Sequence, residues 1–208
     1  MSTINTLYKT AFALALFTIF YNIGEGVIST YFGAEDESLA LFGFGIDSFI
    51  EVISGLGIAH MILRIQKNPH SKRDDFERTA LTITGYSFYA LVIGLIITSV
   101  YSMYTGHKPI TTLWGIIISL ISIVIMWALV IWKKKVGNAL NSSPIIADAN
   151  CTLVCVYMSL ILLASSGAYA LFNIPHIDSL GTLGLAYFAF KEGKECFVKA
   201  KTDNDCGC

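Results

Sequence analysis

Apolar residues run along the chain in six blocks separated by short polar breaks, at residues 7–30, 39–63, 79–101, 112–132, 144–172 and 178–190. About 20 such residues at 1.5 Å per residue cross the core of a bilayer. The pattern predicts an all-α polytopic membrane protein, a bundle of six transmembrane helices. The sixth block is short before Lys191 and continues as an amphipathic helix, with Lys191 and Lys194 snorkelling to the interface. Residues 1–198 form the membrane domain and residues 199–208 a short cytoplasmic tail with Cys206 and Cys208. A composition 54% hydrophobic and 14% charged over 208 residues belongs to the same class.

Charge placement orients the bundle. Lys9, Arg64, Lys67, Lys72, Arg73, Arg78, Lys133, Lys134, Lys135 and the lysines from Lys191 onward fall on one side, against Lys108 on the other. The basic side faces the cytoplasm, which places both termini there in a multi-pass protein of the cell membrane. Glu35, Asp36 and Glu37 then lie in the first external loop. No connection is long enough for a folded catalytic domain, and no nucleotide-binding loop is present, which argues against ATP as an energy source. A cleaved signal peptide fits poorly, since the first block is too long and Glu25 interrupts it.

The chemistry sits inside the apolar blocks. Asp47 and Glu51 are four residues apart on one helix face in the middle of the second block. Two like charges at mid-membrane are costly unless a cation or proton neutralises them. On the fifth block Asp148, Cys151 and Cys155 share a face through spacings of three and four. Carboxylate with thiolate suits zinc and softer ions, whereas cysteines that only pack are also common at helix contacts. Glu51 lies about 18 Å from the inner end of its helix and Cys155 about 16 Å, so the two are level. Asp148 then guards the cytoplasmic approach. Glu25, flanked by Gly24 and Gly26, lies near the depth of Asp47, and Asn22 shares its face. The metal-ligand candidates are therefore Asp47, Glu51, Asp148, Cys151, Cys155 and Glu25. The four histidines form no cluster; His60 is either a proton relay or a satisfied helix residue. The Cys-x-Cys of Cys206 and Cys208 is an incomplete metal set.

The segment Ser38-Leu-Ala-Leu-Phe-Gly-Phe-Gly-Ile-Asp-Ser-Phe-Ile-Glu51, together with the six-block topology, resembles the cation diffusion facilitator family. The resemblance implies six membrane helices, cytoplasmic termini, a metal site between helices two and five, and export of zinc-like divalent cations in exchange for protons. The chain resembles a short, divergent member that lacks the C-terminal cytoplasmic domain and the His-rich loop. Helix five of that family offers His and Asp four apart; here Asp148 is followed four later by Thr152, with Cys151 between.

The expected function is a proton-coupled divalent metal transporter, not an enzyme. A non-transporting membrane metal sensor is the alternative. An intramembrane aspartyl protease is a weaker one, because the Gly-x-Gly-Asp similarity at Gly43 to Asp47 is one residue out of register and leaves Glu51 without a role. No prosthetic group is expected. The expected partners are a metal ion (zinc first, cadmium or another soft ion next), protons and the lipid bilayer, with a homodimer as candidate assembly. Nothing points to nucleic acid.

Overall fold

A computed structural model describes residues 2–68, 72, 74–106, 108–173 and 176–201. They form six α-helices: α1 (Ser2–Glu35), α2 (Leu39–Lys67), α3 (Asp75–Thr105), α4 (Leu113–Ala139), α5 (Ser143–Phe172) and α6 (Ile177–Lys201). No strand occurs among the described residues. Helices α1 to α5 are long and apolar enough to cross a membrane. Helix α6 is of similar length but carries charges through its second half.

Local chemistry sets the helix ends. Ser38 caps α2 by accepting from the Leu41 N–H, and Asp74 caps α3 by accepting from the Glu77 N–H. Gly106, with φ of 70°, closes α3 in the left-handed conformation that glycine adopts without steric penalty. Pro144 stands in the first turn of α5, where its missing N–H costs nothing.

Several helices outrun the apolar blocks that announce them. Helix α3 begins at Asp75, α4 continues to Ala139 and α6 to Lys201. Glu77, Lys133 and Lys199 are therefore helical residues in the bundle rather than loop or tail residues. The expected boundary between residues 198 and 199 falls inside α6. Cys206, Cys208, His70 and His107 lie outside the described residues.

The helices pack as a closed ring, in the order α1, α2, α3, α6, α5, α4 and back to α1, and α2 also reaches across it to touch α5 and α6. Helix α6 lies antiparallel to α3. Ser99 Oγ donates to the Ser179 carbonyl near one end (2.7 Å), and Arg78 donates to the Ala200 carbonyl near the other (2.8 Å). Asp178 at the start of α6 accepts from Ser38 Oγ (2.7 Å) and the Leu39 N–H (2.8 Å), so α6 ties down the start of α2. Paired hydroxyls, such as Ser159 with Ser122 at 2.9 Å, join other helices. Bonds of this kind contribute about 0.6–2 kcal/mol each inside a membrane. Outward-facing side chains such as Phe20, Ile97 and Val124 are large, apolar and exposed, the surface a lipid-facing bundle presents.

Close packing of α1 on α2 depends on a small residue. A Cβ on Gly45 would stand 2.6 Å from the Thr30 backbone nitrogen, while one on Gly94 would meet nothing within 4 Å. Gly45→Val should destabilise the bundle by about 1–3 kcal/mol through overpacking. Gly94→Ala should be neutral or stabilising, by up to about 1 kcal/mol of helix propensity. Thermal melting in detergent checks both, and equal melting temperatures for the two variants would contradict the packing of α1 on α2.

Candidate functional site

Helices α1 and α2 bring three carboxylates to the interior. Asp47 is 2% exposed, and its Oδ1 has no hydrogen-bond partner among the described residues. Glu51, one turn on, accepts from Asn22 Nδ2 (2.8 Å) and from the Cys155 thiol (2.6 Å). Glu25 on α1 accepts from the Tyr21 hydroxyl (2.8 Å) and Ser48 Oγ (3.1 Å). Ser48 follows Asp47 directly, so the Glu25 carboxylate is held against the same turn of α2.

Helix α5 supplies the facing wall. The contact between Cys155 and Glu51 joins α5 to α2 directly. Cys151, one turn lower, accepts from Lys199 Nζ of α6 at 3.1 Å. Asp148 is paired with the buried Lys133 of α4, whose Nζ lies 3.0 Å from Oδ2 and 3.1 Å from Oδ1 and also donates to Thr152 Oγ1 at 2.9 Å. The pair at i and i+4 on α5 that faces α2 and α6 is thus Cys151 with Cys155, while Thr152 serves Lys133.

Asn22, Glu51 and the facing side chains of α4, α5 and α6 border one cavity of about 110 Å³. At roughly 30 Å³ per water, it has room for a few waters or a partly hydrated ion. Asn22, Glu51 and Cys155 line its deep end; Glu77, Pro144 and Lys199 line it toward the basic end of the bundle. Asp47 is not among the lining residues and lies one turn of α2 beyond Glu51. Asp148, Lys133, Cys151, Glu192 and Cys196 occupy the walls between.

The six residues expected to bind metal divide accordingly. Glu51 and Cys155 touch. Asp47 lies next to them along α2, and Glu25 is linked to that turn through Ser48. Cys151 and Asp148 follow along α5, each already engaged by a lysine ammonium. Lys133, Lys199, Glu192 and Cys196 were not anticipated as part of this wall. Their one legible signal is the Glu192–Cys196 spacing of four, which repeats that of Asp47–Glu51 and Cys151–Cys155.

A separate group already stands gathered at the basic end. Ligand atoms of His60, Asp74 and Glu77 lie within 4.8 Å of one another. Each is already engaged: His60 Nε2 is 2.6 Å from Asp74 Oδ2, and Glu77 receives two hydrogen bonds from the Arg64 guanidinium (2.6 and 3.0 Å). The Glu77 N–H, and after it His60, hold the Asp74 carboxyl below the ordinary carboxylate range. His60 is thus a partnered residue at the α2–α3 junction. The α2 and α5 candidates are less tightly gathered, with Glu51 and Cys155 the pair in contact.

Comparison with known proteins adds one finding. A family model for the cation efflux transmembrane domain matches residues 11–203, nearly the whole chain. No curated protein sequence matches it.

The Lys133–Asp148 pair is buried at both ends, 3% and 7% exposed. Removing one partner leaves an uncompensated buried charge, at a cost of about 3–5 kcal/mol. Lys133→Met should therefore lower the melting temperature sharply, and adding Asp148→Leu should restore most of the loss. Melting curves of both single variants and the double variant check this; additive losses would mean that the two groups are not coupled.

Proposed function

The chain belongs to the cation efflux family of membrane metal-cation transporters, and on that footing we propose that it moves a zinc-like divalent cation through a site between α2 and α5 in exchange for protons. The observation that carries this reading is the contact of Cys155 Sγ with Glu51 Oε1 at 2.6 Å. A thiol of α5 and a carboxylate of α2 share a hydrogen at the deep end of a buried cavity. The thiol must give up that proton for sulfur and carboxylate to bind a metal ion together, so loading the site releases a proton and its return releases the ion. Tetrahedral zinc holds sulfur and oxygen ligands roughly 3.5 Å apart, so an ion taking the place of that hydrogen needs the two side chains to separate. Because one belongs to α2 and the other to α5, ion binding is tied to the relative position of two helices, the kind of link that alternating access uses.

The ligands on this reading are Asp47, Glu51 and Cys155, with Cys151 beside them. Glu25 acts through Ser48 on the turn that carries Asp47. Asp148, held by Lys133, guards the approach and is not a free ligand. Sulfur with oxygen favours zinc or cadmium over hard ions such as manganese. Six crossings follow if α6 spans the bilayer beside α3. Its 25 residues, about 37 Å long, and its ties to α3 near both ends support that. With the basic end cytoplasmic, the cavity faces the cytoplasm, the side from which an exporter loads.

Asp47→Asn should abolish zinc and cadmium flux in sealed vesicles while the protein stays folded, because the change removes a buried charge next to Glu51. Undiminished flux in the purified variant would refute the assignment. The double variant Cys151→Ser/Cys155→Ser should lower cadmium transport relative to manganese, since a hydroxyl is a hard and weak ligand. Serine is nearly isosteric with cysteine, so an unchanged cadmium-to-manganese ratio would make the thiols structural and leave the site to the carboxylates.

A further inference from the structure

Three helices each present two ligand-type residues spaced four apart to this interior: Asp47 and Glu51 on α2, Cys151 and Cys155 on α5, and Glu192 and Cys196 on α6. Glu192 and Cys196 lie on one face of α6, and both line the cavity. Glu192 is 9% exposed, yet its Oε1 has no hydrogen-bond partner among the described residues. A buried carboxylate oxygen accepts and does not donate, so it calls for a cation, a donor or a proton. Cys196 is 6% exposed, one turn along the same helix. Cys151 borders the same cavity from α5, and its sulfur accepts from the Lys199 ammonium at 3.1 Å. Lys199 lies one turn from Glu195, whose Oε2 is 3.7 Å from Nζ. An ammonium on a flexible stem thus stands against a sulfur that a divalent ion could take over.

We infer that Glu192 and Cys196 of α6, with Cys151 of α5, form a second binding site for a soft or borderline divalent cation, between the deep α2–α5 site and the basic end of the bundle. The inference rests on the transport reading above and adds to it a staging position supplied by α6. One carboxylate and two thiols match the donor preference of zinc and cadmium. An ion held there neutralises the unpartnered Glu192 oxygen and displaces Lys199 toward Glu195. From there it passes along α5 from Cys151 to Cys155, one turn deeper, where Glu51 waits.

The test uses the full chain purified in detergent, with cadmium ion alone as probe. Bound ions are counted by equilibrium dialysis, and thiolate ligation is read from the ultraviolet sulfur-to-cadmium charge-transfer band. Asp47→Asn/Glu51→Gln removes both carboxylates of the deep site with little change of shape. This background should keep one bound cadmium and its charge-transfer band. Adding Glu192→Gln, or separately Cys196→Ser, should weaken that remaining ion by at least about tenfold, no less than the low end of what even outer-shell changes cost. Both are nearly isosteric, and either alone decides the matter if the other fails to fold. Two results would overturn the inference: a background variant that binds no cadmium, or one whose bound cadmium is indifferent to both additions. Wild-type stoichiometry separates the two readings. One cadmium in the wild type and none in the background removes the α6 site and leaves the deep site standing. One cadmium kept in the background and lost with Glu192→Gln, together with undiminished flux in Asp47→Asn, removes the deep-site assignment and leaves the α6 site.

Discussion

A carboxylate inside an apolar bundle must be answered, and most of this fold can be understood as the set of answers. Glu25 is met by Tyr21 and Ser48, Glu51 by Asn22 and Cys155, and Asp148 by Lys133 and Thr152. At the two ends, Asp178 is met by Ser38 and the start of α2, and Glu77 by Arg64. Each answer crosses to another helix or ties one turn to the next, so satisfying the acids also fixes helix register. Four acids keep a buried oxygen that finds no hydrogen-bond donor among the described residues: Asp36 in the turn between α1 and α2, Asp47, Glu192, and Glu195, whose Oε2 stands 3.7 Å from Lys199 Nζ. Asp47 and Glu192 stand on either side of Glu51, one deeper along α2 and one on the cavity wall.

The architecture was largely legible because it follows from apolar run length. The helices lie where the six blocks predict them, and the pairing of α2 with α5 follows from matching the depths of Glu51 and Cys155. The ends were less legible for a definite reason. Hydropathy ends a helix at its first cluster of charges, but a charge that finds an opposite partner can remain inside. Glu77 stays helical and buried because Arg64 of α2 reaches it. Lys133 follows Trp132 and reads as a cytoplasmic cation, yet Asp148 and Thr152 draw its ammonium into the bundle. Pairing across helices is a property of three dimensions, and no window along one helix contains it.

The same reason explains how the candidates read in the sequence. Asp47, Glu51 and Cys155 stand out in sequence because nothing nearby along the chain can offset them. Asp148 stands out equally, but its partner Lys133 is 15 residues away on another helix and is not visible from α5 alone. Glu192 was masked from the opposite side. With Lys191 and Lys194 close by it reads as one charge in an interfacial run, although helical rotation turns Glu192 inward together with Cys196. Spacing of four was the signal on α2, and the same spacing was present on α6, hidden by the lysines around it.

Two ammonium groups, Lys133 buried and Lys199 partly exposed, also divide the cavity electrostatically. Lys133 offsets Asp148, and Lys199 stands beside Cys151, on the part of the wall nearer the basic end. No lysine or arginine is hydrogen-bonded to Glu51 or Glu25 among the described residues; their donors are an amide, hydroxyls and a thiol. Neutral donors offset a carboxylate less than a fixed cation does, because their charge is partial and its interaction falls off faster with distance. The acids of the deep end are held by neutral donors, and Asp148 nearer the approach by an ammonium group. On the proposed route, a cation passes from a region balanced by tethered ammonium groups to one balanced by neutral donors, beside Glu51. That difference is built from side chains contributed by five of the six helices.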